Sequence, residues 1–332
     1  EIDLWDYDTT RENSERWIVA DEFAVYLFWR DLDLTVADEF PAWRVSYDRG
    51  TTWEPKQRIT EIGDNFLTNV ATKNNILCMS INVSDLGGEP YILRVFQNGT
   101  SWSLSPDSIY ASNFKFGIAM TEGVLHSAYE VPLLNEIAYR KSYDLGDTWQ
   151  EPIIISSSSG FGADLPGLAA DKRNIYTSWR DTKFGCAPSG WGCSIIGRNS
   201  KNNGDDWFDE LLLSDIPTGM FSEPFIKGNV IAVAWSESHN NPDLDRVKVR
   251  VSLDGGENWC PVKDFGFGTG TKIAITTDAL HVVYTNEDSQ KVYYCRGEII
   301  TGVKENEIEV PQQVQMEQNY LSSNRFALAL GL

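Results

Sequence analysis

SYDRGTTW at 46–53, SYDLGDTW at 142–149, SKNNGDDW at 200–207 and SLDGGENW at 252–259 are four copies of one octet, and their recurrence makes this a repeat protein. VFQNGTSW at 95–102 is a degenerate fifth copy lying between the first two. The closing tryptophans, Trp53, Trp102, Trp149, Trp207 and Trp259, return every 47 to 58 residues. Within each octet a serine hydroxyl and an aspartate carboxylate are suited to accept backbone N–H groups in a tight turn, and glycine takes the positive φ such a turn requires. Asp48, Asp144 and Asp254 therefore read as turn staples rather than catalysts, since Asx turns are local backbone devices. The tryptophans are expected to bury their rings between neighbouring sheets.

Upstream of the octets lie runs of β-branched and aromatic residues that end in a large ring and a polar pair. They are AVYLFWRD (24–31), ILCMSIN (76–82), VLHSAYE (124–130), IYTSWRD (175–181), VIAVAWSE (230–237) and LHVVYTNE (280–287). Each is preceded by another short strand and followed by a third. Short strands at a long fixed period read as four-stranded blades around an axis. The expected fold is all-β, a six-bladed β-propeller over 1–303, with blades at roughly 11–60, 61–108, 109–155, 156–213, 214–263 and 264–303. Residues 304–332 form a C-terminal extension without an assigned role. The sixth unit has no octet; KVYYCRG (291–297) is its third strand, and its outer strand comes either from 298–303 or from IDLWDYD (2–8), which would close the ring as a clasp.

The octet pattern S-x-D-x-G-x-T/N-W resembles the Asp-box, or BNR, repeat of sialidase-like β-propellers, and the resemblance covers most of the chain. In that family three arginines from different blades grip a substrate carboxylate, an early aspartate is the acid/base, and a glutamate polarises a tyrosine nucleophile. RWI at 16–18 is similar to the family's R-I-P without its proline, which implies Arg16 as the first clamp residue. Asp38 in VADEFPAWRVS (36–46) stands where the family keeps its acid, with Asp33 as a rival. Arg180, preceded by Asp164 sixteen residues earlier, resembles the family's glutamate–arginine arrangement with a shorter acid. SHNNPDLDRVKVRVSLDGG (238–256) is similar to the third-arginine segment and implies Arg246.

The family's tyrosine has no counterpart, because FGFGTGTKIAI (265–275) puts Gly270 or Thr271 at its place. Tyr284 aligns with Trp29, Trp179 and Trp235 and reads as packing between blades. The loss matters chemically. A sialic acid carries a carboxylate on its anomeric carbon, which repels a carboxylate nucleophile, so tyrosine replaces the usual carboxylate in sialidases. What remains is carboxylate binding by the arginine forks, or single-displacement hydrolysis. In the latter Asp38 is the acid and Asp164 or Glu223 activates water, with the carboxyl groups roughly 6.5–9.5 Å apart.

Charged residues crowd the starts of first strands (Arg16, Asp164, Glu223, Lys272) and the ends of second strands (Arg30, Glu130, Arg180, Asp181, Glu237). A ring of both signs needs internal pairing or a ligand. Arg30 accordingly has two readings, substrate binding or a structural pair with Asp31. Trp191, in the loop CAPSGWGC (186–193), is a candidate sugar-stacking ring, and Cys186 and Cys193 are spaced to close that loop with a disulfide.

With 48 acidic against 28 basic side chains the net charge is −20, which argues against nucleic acid or an anionic membrane as the main partner. No apolar run approaches the roughly 20 residues that span a bilayer. The first residue is Glu1 rather than methionine, consistent with a signal peptide or a larger parent having been trimmed away, and sequons at Asn82 and Asn98 agree with an extracellular or cell-surface location. No cofactor is expected; calcium at 31–33 or 243–245 would need a denser ligand loop, and three histidines give no metal site. Two functions follow. One is a sialidase-like glycoside hydrolase acting on a terminal, acidic sugar. The other is a non-catalytic Asp-box propeller whose rim binds glycan or a protein partner in a cell-surface or virion assembly.

Overall fold

The computed structural model describes residues 16–20, 23–33, 38–48, 50–58, 65–74, 76–83, 89–96, 99–104, 116–131, 134–157, 162–187, 192–238, 245–276, 279–286, 291–299 and 316–321. Among the described residues every regular element is a strand, and no helix is long and apolar enough to cross a membrane. The first sheet holds β1 (Arg16–Ala20), β2 (Val25–Asp33), β3 (Asp38–Ser46) and β4 (Gln57–Arg58). The second holds β5 (Asn65–Lys73), β6 (Ile76–Val83), β7 (Glu89–Phe96) and β8 (Gly99–Leu104). The third holds β9 (Phe116–Thr121), β10 (Val124–Val131), β11 (Glu136–Ser142) and β12 (Ile153–Ile154). Next come two meanders, β13 (Ala163–Asp171) to β14 (Asn174–Cys186), β15 (Cys193–Ser200) and β16 (Leu211–Leu212), then β17 (Gly219–Lys227), β18 (Val230–Glu237), β19 (Arg246–Ser252) and β20 (Lys263–Phe267). A single bridge between Cys193 and Gly219 joins these fourth and fifth units into one eight-stranded sheet. The last unit is β21 (Thr269–Ile275), β22 (Ala279–Asn286), β23 (Lys291–Glu298) and β24 (Met316–Leu321).

All pairings are antiparallel, and the first strand of each unit packs on the first strand of the next, from β1 on β5 through to β17 on β21. Two glycines make this approach possible. A Cβ on Gly167 would lie 2.5 Å from Pro224 Cδ and 2.7 Å from the Ser222 carbonyl oxygen, and one on Gly117 would lie 3.0 Å from Leu168 Cβ. The second strands are covered on both faces, so residues 124–129 of β10 and 231–237 of β18 are buried without alternation.

The octets fold as one repeated turn. In the first, Gly50 N–H donates to Ser46 Oγ (2.7 Å), Thr52 N–H to Asp48 Oδ1 (2.7 Å) and Trp53 Nε1 to the Gly50 carbonyl (3.2 Å). Asp144 and Asp254 accept the equivalent N–H groups of Thr148 and Asn258, and in the third copy the amide oxygen of Asn202 takes that of Asp206. The glycines at 50, 146, 204 and 256 have φ of 85°, 99°, 81° and 92°. VFQNGTSW differs. Lacking the serine and aspartate acceptors, it continues the β7–β8 ladder, with Phe96 opposite Gly99 and Leu93 opposite Trp102, as a simple hairpin.

Each later tryptophan reaches the preceding unit. Trp149 packs into the cluster with Ala71 and Cys78, Trp207 meets Tyr139 edge-on at 4.9 Å, and Trp259 lies 5.5 Å from Tyr176. Beneath Trp207, His126 is buried with Nε2 2.8 Å from Thr121 Oγ1 and Nδ1 2.7 Å from Tyr139 Oη. Thr121 in turn donates to Asn203 Oδ1 (3.1 Å), so this polar chain ties the third unit to the octet turn of the fourth.

The outer strand of the last unit is neither 298–303 nor the N-terminal segment, which lies outside the described residues. It is β24, paired with β23 from Val292–Leu321 to Gly297–Met316. Residues 316–321 therefore contribute to this sheet.

Candidate functional site at the strand ends opposite the octets

The octet turns join third to fourth strands, and so mark one end of the first, third, fourth and fifth units. At the other end first strands begin, second strands finish and third strands start. Arg16 begins β1, Arg30 lies in β2 opposite Pro41, and Asp38 begins β3 directly opposite Asp33. The side chains of Arg16, Arg30, Asp33 and Asp38, and the whole of Trp191, lie outside the described residues. Asp164, Arg180, Glu223 and Arg246 come to this same end on the fourth and fifth units.

Asp164 and Arg180 are cross-strand partners on β13 and β14. Arg180 Nε donates to Asp164 Oδ1 at 2.6 Å and Nη2 to Oδ2, a two-point fork with side chains 17% and 29% exposed. Such paired charge-assisted bonds fix the plane of the guanidinium. The neighbouring Asp181 is fully buried; it accepts from Trp179 Nε1 (3.1 Å) and the Lys183 N–H (2.9 Å), with Lys183 Nζ 3.8 Å away.

On the fifth unit, Glu223 Oε1 lies 3.3 Å from Nζ of Lys272, the residue at the equivalent position on β21. Beside Glu223, Ser222 Oγ accepts from Ser178 Oγ of the fourth unit at 2.9 Å. Arg246 stands opposite Glu237 and Phe267; its Nε donates to Asp264 Oδ2 at 2.7 Å and its guanidinium lies 4.7 Å from the Phe267 ring centre. Lys248 bridges Asp264 (3.2 Å) and Glu237 (3.3 Å). The hydrogen bond to Asp264 raises the Arg246 pKa. Burial alone would raise that of Asp264, but Arg246, the Gly266 N–H and Lys248 together outweigh it and hold the carboxyl below its usual range. Arg180 and Arg246 thus each have their own aspartate.

No tyrosine occurs in β21. Tyr284, on β22, is 2% exposed, donates from Oη to the Phe265 carbonyl (2.8 Å) and stacks on Tyr293 at 5.3 Å. Burial pushes its phenol above the ordinary tyrosine range, the reverse of what a nucleophile needs. Cys186 and Cys193 are disulfide-bonded and close the loop between β14 and β15.

Lys272 figures in the sequence only among the charged starts of first strands, and Lys248 and Asp264 are not singled out there at all. The alternation of Arg246, Lys248 and Arg250 in RVKVRV was the available signal, since period-two spacing puts all three on one face of a strand. A further feature had no sequence signal. Three successive first strands carry a two-residue bulge near their start, at Leu165–Pro166, Phe221–Ser222 and Gly270–Thr271. The first residue of each bulge is left-handed, with φ of 53°, 50° and 63°.

No family model matches this sequence, and no curated protein matches it. Among solved structures, the chain is similar to a Hadza microbial sialidase, at a TM-score of 0.51 and 13% identity over 81% of this chain and 62% of that one. Trypanosoma rangeli sialidase gives a TM-score of 0.49 at 14% identity over 83% of this chain and 52% of that one, and phage phi92 endosialidase 0.45 at 11% over 92% and 56%. This chain therefore spans less than two thirds of each of them. The fold is that of a sialidase-like propeller, an assignment resting on the first of these likenesses.

Proposed function

We propose that the chain is a glycoside hydrolase of sialidase-like fold that takes a terminal, carboxylate-bearing sugar at the strand ends opposite the octets, within a closed ring of six blades. Six consecutive four-stranded units, with first strands packed in succession from β1 to β21, support the ring. The observation that carries the function is the charge constellation on three successive units. Asp164, Glu223, Glu237 and Asp264 face Arg180, Lys272, Arg246 and Lys248, four anions against four cations in a chain of net charge −20. An anionic sugar meets no excess of negative charge there, and the rest of the chain's field is screened beyond about 8 Å at physiological salt.

In this reading Arg180 and Arg246, oriented by their aspartates, present remaining guanidinium edges to the carboxylate, with Arg16 as the third clamp residue and Arg30 and Trp191 as further contacts. Asp38 protonates the leaving oxygen. Glu223 is preferred to Asp164 for activating water, because both Asp164 oxygens are engaged by Arg180. With no tyrosine at the start of β21, water attacks directly and the anomeric configuration inverts. The Cys186–Cys193 bond fits work outside the cell or at its surface, where disulfides persist.

The test is turnover of a panel of sialyl, uronosyl and neutral glycosides, with the first-released anomer read by NMR. Asp38→Asn and Glu223→Gln should each lower kcat about 100-fold or more, with inversion in the native protein. Retention of configuration would contradict direct attack by water. A second reading, a glycan-binding propeller without catalysis, is favoured by the engaged phenol of Tyr284 and the separate pairing of the two arginines. It predicts binding of acidic glycans with no turnover of any.

A further inference from the structure

Of the three bulges on the first strands, the one at Phe221 is not explained by the fold. Leu165, at the same position on β13, is 7% exposed and justifies its left-handed backbone by packing. Gly270, on β21, adopts the conformation without steric penalty, and a Cβ there would meet nothing within 4 Å. Phe221 has neither excuse. Its ring is 57% exposed and its φ is 50°, a region that a bulky side chain adopts only under constraint from its surroundings. Strain of this kind concentrates at ligand sites, and bulges next to such sites re-aim side chains.

The surroundings specify a ligand. Immediately after Phe221 on the chain come Ser222, bonded to Ser178, and Glu223, paired with Lys272, and the next unit leaves space open at Gly270. An exposed apolar ring beside accessible charged groups matches a pyranose, which offers a C–H face to an aromatic and hydroxyls to charged neighbours. We infer that Phe221 is a sugar-stacking residue that selects a pyranose ring of the bound glycan at the fifth unit, an inference resting on the glycan reading above.

The experiment is calorimetric titration of sialyllactose, a glucuronosyl disaccharide and lactose into the native protein and into Phe221→Asn, Phe221→Gly and Phe221→Trp, with thermal melting of all four. Asparagine and glycine suit the left-handed backbone and remove the ring; tryptophan keeps a ring. The expected result is at least a tenfold loss of affinity in the asparagine and glycine variants without loss of melting temperature, and native-like affinity in the tryptophan variant. Native affinity for a bound probe in either ring-deleted variant would overturn the inference while leaving the glycan reading intact. Failure of the native protein to bind any of the three probes would overturn both.

Discussion

Gly204→Ala should destabilise the protein by about 3 kcal/mol or more, the sum of left-handed strain and overpacking. Gly204 has φ of 81°, and a Cβ there would sit 2.0 Å from Tyr139 Oη and 2.4 Å from its Cζ. Tyr139 has no room to yield, since it is buried, bonded to His126 and packed edge-on against Trp207. Gly123→Ala is the matched control. Its φ of 74° imposes similar backbone strain, yet a Cβ there meets nothing within 4 Å, so it should cost only about 1 kcal/mol. Urea unfolding of both variants measures the difference. Equal losses would mean that the close approach of the fourth unit's octet turn to Tyr139 does not hold these units together.

Acid should weaken the same junction well before the carboxylates respond. Burial, reinforced by Lys141, lowers the His126 pKa to about 3 from 6.5. Between those values the unfolded chain binds a proton that the native one does not, so stability falls as pH drops from 6.5 to about 3 and levels off below. The full effect is about 5 kcal/mol. Lys141 and Asp205 are the charged groups around this network, 2.6 Å apart, and Tyr139 is the titratable neighbour. The octet aspartates act at lower pH, with pKa values shifted in the same direction. Hydrogen bonds, first from the side chains of Thr52 and Thr148, hold Asp48 and Asp144 at about 2, so their contribution is present above 3.8 and lost as pH falls toward 2. His126→Gln should flatten the slope between pH 6.5 and 4 and leave the lower step in place. An unchanged slope would locate the acid response elsewhere.

The turns were legible in the sequence because their chemistry is local. Ser46, Asp48, Gly50 and Trp53 act within eight residues of one another, and each copy repeats the same hydrogen bonds. The same logic explains VFQNGTSW, where loss of the serine and aspartate leaves a plain hairpin. The pairing of Asp164 with Arg180 was also within reach, since both sit at corresponding strand ends, although the sequence suggested two functional groups and not a mutual lock. β24 was not legible. MEQNYL carries no octet, and its partner strand lies across a long connection, so nothing local announces it. The bulges at Leu165, Phe221 and Gly270 escaped for another reason. Leucine and phenylalanine oppose left-handed φ, so neither residue type announces a bulge.

The central claim is that a carboxylate-bearing sugar binds at the charged ends of the fourth, fifth and sixth units. Glycan affinity of the native protein, Arg246→Ala and Arg180→Lys, measured with matched acidic and neutral oligosaccharides, tests it most directly. Arg180→Lys keeps the charge and removes the fork, while Arg246→Ala removes a side chain about one third exposed. The account predicts preference for the acidic sugar in the native protein and at least a tenfold loss in each variant, confined to the acidic ligand. Equal affinity for acidic and neutral sugars, unchanged in both variants, would contradict it.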